Sequence, residues 1–140
     1  MSGKVLIYGG SGAVGAASAR MLKGLGYDLH LVGSREEKLK TIADELGAGM
    51  SVADVRDPAS FKKVSDDAGK ELAGLVYAVG SINLKSLRRL EEADFLADFR
   101  MNALGAALAV SDVPAGVKKT PHAFVALFFT PAGQEGQGTR

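Results

Sequence analysis

A glycine-rich turn between a predicted strand and a predicted helix constrains this sequence more than any other feature. Residues Lys4 to Tyr8 form a short apolar run rich in branched side chains, which is typical of a strand buried on both faces of a parallel sheet. The segment Gly9 to Gly15 follows directly and has glycines at positions 9, 10, 12 and 15. Small apolar residues then continue at helical spacing to Gly24. This order predicts a strand–turn–helix unit whose turn binds phosphate groups.

The turn meets three needs of a bound pyrophosphate. A tight turn needs a residue without a Cβ atom, the phosphates need a close approach of the backbone, and the helix start supplies unpaired N–H groups with a positive dipole end. We therefore predict that the turn binds a dinucleotide through Gly9, Ser11, Gly12, Val14 and Gly15. The alternative is that the glycines only form a tight connection between a strand and a helix.

The rest of the chain alternates strands and helices. Further strands are predicted at 28–32, 49–52, 75–79 and 123–129, and helices at 36–46, from the pair 57–58 onward, and from 91 to about 110. Right-handed crossovers between parallel strands then favour a doubly wound α/β fold, a Rossmann-type parallel sheet of about five strands with helices on both faces. Residues 1–130 are predicted to form this domain, and the polar segment 131–140 a flexible C-terminal tail.

The composition narrows the range of partners. The chain has 17 basic and 16 acidic residues, a net charge of +1, so no strong field favours nucleic acid or an anionic membrane. The absence of cysteine excludes disulfides, thiolate metal sites and cysteine nucleophiles, and the two isolated histidines predict no metal site. Neither a signal peptide nor an apolar stretch approaching the ~18 residues of a membrane span is found. We therefore expect a cytoplasmic protein that binds small molecules.

The end of the second strand bears on the choice between NADP and NAD. Dinucleotide-binding folds place an acidic residue there for a ribose hydroxyl, or a basic residue for a 2′-phosphate. This sequence has Ser34 and Arg35 there, no carboxylate precedes Glu36, and the Arg35 guanidinium can form a forked pair with phosphate. This favours NADP as the cofactor, with Ser34 and Arg35 as contacts. NAD stays open, because Arg35 can equally be a solvated residue at a helix start.

Together these residues resemble the short-chain dehydrogenase/reductase family, and the resemblance covers about residues 4–130. The turn is similar to the family's Thr-Gly-x-x-x-Gly-x-Gly motif, with Ala13 in place of the middle glycine. Its Gly-x-x-Gly-x-x-Gly spacing is closer to the extended and atypical branches of the family. The resemblance implies an oxidoreductase that passes hydride between a nicotinamide and a carbonyl or alcohol carbon.

The resemblance also implies contacts outside the glycine turn. Asp54 and Val55 follow the third strand, where the family's aspartate meets the adenine amino group. Residues 77–80 stand where the family often has Asn-Asn-Ala-Gly. The resemblance implies that the backbone path beside the cofactor is kept there, with Ala78 and Gly80 as contacts, while the asparagine side chains are lost. Asn102 resembles the asparagine that holds a proton-relay water, the alternative being a polar residue on a helix surface.

The family's chemistry needs a tyrosine, a lysine that lowers the pKa of that tyrosine, and a serine that polarises the substrate oxygen. Thr130 stands at the serine position, and its hydroxyl can donate the same hydrogen bond. The Tyr-x-x-x-Lys pair is expected on the following helix, and no such pair is present before Arg140. The resemblance therefore predicts a truncated or frame-altered product that is inactive alone.

We conclude from the sequence that the chain carries the cofactor-binding half of an NAD(P)-dependent oxidoreductase, with Asn102 and Thr130 as candidate catalytic residues. The expected substrate of full-length relatives is a small carbonyl or alcohol compound. The alternative is a protein that binds NADP(H) without catalysis and senses the redox state. Homo-oligomer formation is left open.

Overall fold

The computed structural model describes residues 3–80, 85–113, 117 and 121–128. Within these ranges the chain forms one five-stranded sheet, in which all neighbouring strands are parallel and the strand order is β3-β2-β1-β4-β5. The strands are β1 (Lys4–Tyr8), β2 (Asp28–Gly33), β3 (Gly49–Val52), β4 (Leu72–Tyr77) and β5 (Phe124–Leu127). β1 lies at the centre of the sheet, with β2 and β3 on one side and β4 and β5 on the other. The predicted Rossmann-type α/β fold is confirmed.

Helices cover both faces of this sheet. They are α1 (Ala13–Gly24), α2 (Glu36–Leu46), α3 (Ala59–Ala68), α4 (Glu92–Phe99) and α5 (Gly105–Ser111), with a short 3₁₀ turn at Leu87–Arg89. In the described ranges, no helix combines the length and the apolarity needed to cross a membrane.

Local interactions explain where α2 ends and where α3 begins. α2 stops at Gly47, whose φ of 59° is left-handed and is easily reached only without a Cβ atom. α3 begins at Ala59, one residue later than the Asp57-Pro58 pair predicts, although Pro58 already has helical dihedral angles. The Asp57 carboxylate accepts a hydrogen bond from the Ala59 N–H at 3.1 Å, so it caps the helix start.

Two apolar clusters hold the helices to the sheet, one on each face. On the face covered by α3 and α5, the buried residues include Leu6, Tyr8, Phe61 and Tyr77. On the face covered by α1 and α2, Val5, Ile7, Leu31 and Leu39 are among the buried residues. Alternate residues of β1 therefore enter opposite clusters, which explains why the whole strand is apolar.

The prediction of one continuous α-helix over residues 91–110 is wrong. A π-helical turn at Arg100–Leu104 separates α4 from α5. The Tyr77 hydroxyl donates a hydrogen bond to the backbone carbonyl of Met101 in this turn. A Cβ atom on Gly105 would overlap that hydroxyl, so the glycine gives the tyrosine its space. The turn is therefore tied to the sheet through Tyr77.

The boundaries of the last two strands also differ from prediction. β4 begins at Leu72 rather than at residue 75, because Gly74 belongs to the strand instead of ending the preceding loop. A Cβ atom on Gly74 would lie 2.5 Å from the Phe124 ring, so the glycine makes room for the neighbouring strand. β5 is shorter than the predicted 123–129. The predicted tail at residues 131–140 lies outside the described residues.

Candidate functional site

A cleft of about 260 Å³ opens at the carboxyl end of the sheet. The loops that follow β1, β2, β3 and β4 all reach it, together with the π-helical turn. The strand order reverses between β1 and β4, and crevices at such a reversal bind ligands in open α/β sheets. The lining residues are Gly9, Ser11, Val32, Gly33, Ser34, Ala53, Asp54, Val55, Arg56, Val79 and Met101.

Gly9 and Gly15 are needed by the fold itself, and a Cβ atom on Gly10 would also lie 2.9 Å from the Leu31 Cβ atom. Gly9 has a φ of 80°, and a Cβ atom on it would lie 2.5 Å from the carbonyl oxygen of Ala78. A Cβ atom on Gly15 would overlap the carbonyl oxygen of Gly9, because the first turn of α1 lies against the loop. The loop is anchored to β2, since the N–H groups of Gly9 and Gly10 both donate to the Val32 carbonyl, at 2.9 and 3.0 Å.

Gly12 differs from the other glycines of the turn. Its φ of −77° and ψ of 167° are extended values that any residue adopts, and a Cβ atom on it would meet only the Gly9 carbonyl oxygen at 3.4 Å. Neither backbone strain nor packing therefore requires a glycine there. Gly12 is the N-cap of α1, and no side chain caps that helix start. The space above Gly12 and the first N–H groups of α1 remain accessible to an anion.

The second loop brings Ser34 to the cleft and ends in Arg35. Ser34 is a lining residue, and Arg35 is the exposed N-cap residue of α2. Among the described residues, none forms an ion pair or a side-chain hydrogen bond with Arg35, so its guanidinium is available to a ligand. A Cβ atom on Gly33 would lie 3.1 Å from the Ser11 hydroxyl, which places this loop against the glycine turn.

The third loop carries an ion pair between Asp54 and Arg56. The Arg56 Nη2 and Nε atoms donate to the two oxygens of the Asp54 carboxylate, at 2.8 Å and 3.0 Å. These hydrogen bonds hold the pKa of Asp54 below its usual value. The Ser60 hydroxyl at the start of α3 is shared between two carbonyls of this loop, that of Asp57 at 2.7 Å and that of Asp54 at 2.9 Å.

Apolar side chains close the cleft beside β4 and the π-helical turn. Val79 follows β4, and a Cβ atom on Gly9 would lie 3.2 Å from one of its methyl groups. Met101 enters from the π-helical turn, which the Tyr77 hydroxyl holds. Asn102 is the next residue, is half-buried, and donates from its side-chain amide to the Asp98 carbonyl at 3.0 Å.

The cleft brings together some of the residues that the sequence singled out. Five of them line it, namely Gly9, Ser11, Ser34, Asp54 and Val55. Gly12, Gly15 and Arg35 lie in the same loops and helix starts. The Val14 side chain lies elsewhere, in an apolar groove beside α1 and Phe128, so only its backbone N–H belongs to the helix start facing the cleft.

The residues after β4 and in the last strand are placed differently. Ala78 packs against the cluster under α1 while its neighbour Val79 lines the cleft. Gly80 is exposed and is not a lining residue, and the Asn102 side chain bonds to its own helix. Thr130 lies outside the described residues.

The sequence analysis did not name six of the lining residues as contacts, namely Val32, Gly33, Ala53, Arg56, Val79 and Met101. Arg56 comes two residues after the aspartate that attracted attention, and its reach back to that carboxylate is a property of the loop conformation. Met101 lines the cleft because the helix is interrupted beside it. The sequence signal that could have identified Arg56 is its position, because it is a basic residue two positions after Asp54.

Comparison with known proteins agrees with this architecture. A family model for the short chain dehydrogenases matches residues 3–125. Sulfoacetaldehyde reductase 2 from Chromohalobacter salexigens is 39% identical over 71 residues, which cover 48% of this chain and 28% of that protein. Nodulation protein G from Rhizobium sp. strain N33 is 32% identical over 97 residues, which cover 66% of this chain and 40% of that protein.

The fold has solved counterparts. Serine dehydrogenase from Escherichia coli matches 94% of this chain and 64% of its own length, with 21% sequence identity and a TM-score of 0.80. The chain thus spans less than two thirds of that protein and less than half of either sequence relative. The family model covers most of the chain, including the glycine turn, the loops that line the cleft and the interrupted helix. The chain therefore belongs to the short-chain dehydrogenase family of NAD(P)-binding oxidoreductases.

Proposed function

We propose that the cleft binds NADP(H), and that the chain carries the cofactor-binding half of an oxidoreductase acting on a small carbonyl or alcohol compound. Gly12 is the observation that carries this proposal. The fold has no need of a glycine at that position, whereas a phosphate group placed over the turn would need one. The glycine turn is therefore better explained as a ligand site than as only a tight connection.

The phosphate end of the cleft fits the pyrophosphate. The backbone of the turn is fixed by two hydrogen bonds to β2, so its conformation is set before a ligand binds. The N-terminus of α1 supplies N–H groups and the positive end of a helix dipole, and it has no acidic residue in its first turn. The Ser11 hydroxyl adds a donor at the cleft wall.

The adenosine end favours NADP(H) over NAD(H). Ser34 lines the cleft, and Arg35 beside it has a guanidinium without a partner among the described residues. A 2′-phosphate would pair with such a fork, and no carboxylate at the end of β2 competes for the ribose. Serine dehydrogenase, a structural neighbour, has been solved in a closed form with NADP⁺.

The nicotinamide end would lie beside Val79 and Met101, where apolar walls exclude water from a reacting carbon. The cofactor supplies the hydride, and the chain supplies its orientation. The name of sulfoacetaldehyde reductase, a relative, points to a carbonyl substrate. Ala78, Gly80 and Asn102 follow this end in the chain and remain candidate contacts, with Thr130 as the candidate donor to the substrate oxygen.

The tyrosines in the sheet are unsuited to general acid catalysis. Tyr8 and Tyr77 are both 1% exposed, and burial raises the pKa of Tyr77 to about 12 and that of Tyr8 further still. None of the three tyrosines of the sequence has a lysine four residues later. The catalytic pair that the family uses is therefore not assigned to any residue of this chain.

Substitution of Gly12 tests the proposal. Gly12→Val places a branched side chain over the turn without backbone strain, so the chain should fold and lose NADPH binding by at least about tenfold. Gly24→Val is the matched control, because a Cβ atom on Gly24 meets nothing within 4 Å and lies at the far end of α1. Binding is measured by titration of NADPH fluorescence, and folding by circular dichroism. Equal affinity of the Gly12→Val and Gly24→Val variants would refute the assignment of the turn.

A further inference from the structure

We propose that Arg56 is a positioning residue for the cofactor: it aims the Asp54 carboxylate and cancels the charge of that carboxylate inside a cleft that receives a polyanion. The inference rests on the proposed binding of a dinucleotide and adds a residue to that site. It assigns Arg56 a function through Asp54 rather than through direct contact with the ligand.

The geometry shows a carboxylate that accepts hydrogen bonds from three N–H groups of one residue. The Arg56 backbone N–H donates to Asp54 Oδ1 at 2.9 Å, Nε donates to the same oxygen at 3.0 Å, and Nη2 donates to Oδ2 at 2.8 Å. A forked guanidinium contact with both oxygens fixes the plane of the carboxylate as well as its position. The Asp54 side chain is thus oriented before any ligand arrives.

The net charge of the cleft wall depends on this ion pair. Among the described residues that line the cleft, Asp54 and Arg56 are the only ones with ionisable side chains. An unpaired carboxylate at that wall would repel the phosphates of a dinucleotide, whereas the pair carries no net charge. Arg35, which has no partner among the described residues, then remains as the cation next to the cleft.

The paired carboxylate keeps room for a ligand. A carboxylate oxygen can accept hydrogen bonds along two lone-pair directions. Oδ2 accepts one short hydrogen bond, from Nη2 at 2.8 Å, and Nε is more distant at 3.2 Å. Asp54 can therefore still accept an N–H group such as the amino group of adenine. The proposed arrangement neutralises the carboxylate without removing it as an acceptor.

The chain offers a matched ion pair that lies away from the cleft. Arg20 and Glu45 form the same forked contact, at 2.7 and 2.9 Å, between α1 and α2. The two arginine side chains are similarly exposed, at 49% for Arg20 and 61% for Arg56. Neither Arg20 nor Glu45 lines the cleft. If forked surface pairs only stabilised this fold, the two arginines would behave alike.

The experiment compares Arg56→Gln with Arg20→Gln. Both variants are titrated with NADPH and with reduced nicotinamide mononucleotide, which lacks the adenosine half. Arg56→Gln should raise the Kd for NADPH about three- to tenfold and leave that for the mononucleotide within about twofold, while Arg20→Gln changes neither. In an Asp54→Asn background the effect of Arg56→Gln on NADPH should shrink, because the carboxylate that Arg56 neutralises is gone.

A pH titration supplies a readout that a purely structural contact would not move. The hydrogen bonds from Arg56 hold the pKa of Asp54 down, so Arg56→Gln should raise it, as followed by the carbon resonance of the Asp54 carboxyl group. In the same variant the loss of NADPH affinity should shrink as the pH falls towards the pKa of Asp54, because protonation removes the charge that Arg56 neutralises. Arg56→Lys should keep the charge and lose the fork, so its Kd should lie between that of the wild-type chain and that of the Arg56→Gln variant.

The outcomes separate this inference from the proposed function. If wild-type protein binds NADPH, and Arg56→Gln binds it with unchanged Kd and unchanged pH profile, the positioning function of Arg56 is overturned while the cofactor assignment stands. If folded wild-type protein binds no dinucleotide, the proposed function fails, and this inference fails with it.

Discussion

The link between Tyr77 and the π-helical turn allows a quantitative prediction. The Tyr77 hydroxyl donates to the Met101 carbonyl, and the side chain is 1% exposed. Tyr77→Phe keeps the ring and leaves that carbonyl without its donor. Loss of one part-buried hydrogen bond should lower the free energy of unfolding by about 1–2 kcal/mol. With a typical slope for a domain of this size, the urea midpoint should fall by about 0.5–1 M.

The neighbouring Tyr8 provides the control for this measurement. Its ring lies 5.8 Å from that of Tyr77, it is also 1% exposed, and its hydroxyl forms no hydrogen bond with a described residue. Tyr8→Phe should therefore change the free energy of unfolding by no more than about 0.5 kcal/mol. Urea unfolding followed by circular dichroism gives both values. Equal losses in the two variants would refute the reasoning, because the hydrogen bond would then carry no specific energy.

Two further predictions concern stability. Burial lowers the pKa of His30 below its ordinary 6.5, so the unfolded chain binds more protons and stability should fall as the pH drops below about 6.5, levelling off below the folded pKa. Urea midpoints between pH 7.5 and pH 5.5 (about one unit either side of 6.5) should show this slope in wild type and in the His122→Gln control, but not in His30→Gln. A slope that persists in His30→Gln contradicts the assignment to His30. Gly15→Ala should cost about 1–3 kcal/mol, because its Cβ overlaps the turn backbone, whereas Gly24→Ala, in open space, should cost nothing measurable by thermal unfolding. A Gly15→Ala chain as stable as Gly24→Ala would contradict the geometry of the turn.

Much of the fold could be predicted because local signals agree with one another. The apolar run of β1, the glycines of the turn and the stop at Gly47 each fix an element in sequence terms alone, and the structure places β1 and α2 at the predicted residues. Where a boundary depends on a neighbour, prediction was wrong. The fourth strand was predicted to begin after Gly74, and the Phe124 ring on the adjacent strand explains a glycine inside β4.

The candidate site shows the same difference between features set by local sequence and features set by contacts across the fold. The glycine turn was located by its spacing and Asp54 by the family resemblance, and both reach the cleft. The interruption of the long helix could not be predicted, because the Tyr77 hydroxyl and the space at Gly105 act across the fold. The position of Val14 likewise depends on the facing of α1, which turns its side chain away from the cleft. Long-range contacts therefore decide which residues of a recognised motif face the cleft.

The central claim is that this cleft binds NADP(H) through the glycine turn and Arg35. The most direct measurement is titration of the chain with NADPH and NADH, alongside Arg35→Ala and the exposed Lys38→Ala control on α2. We predict that NADPH binds at least about tenfold more tightly than NADH, and that this preference is lost in Arg35→Ala but kept in Lys38→Ala. A folded chain that binds neither nucleotide, or an Arg35→Ala chain with the full preference for NADPH, would contradict the account.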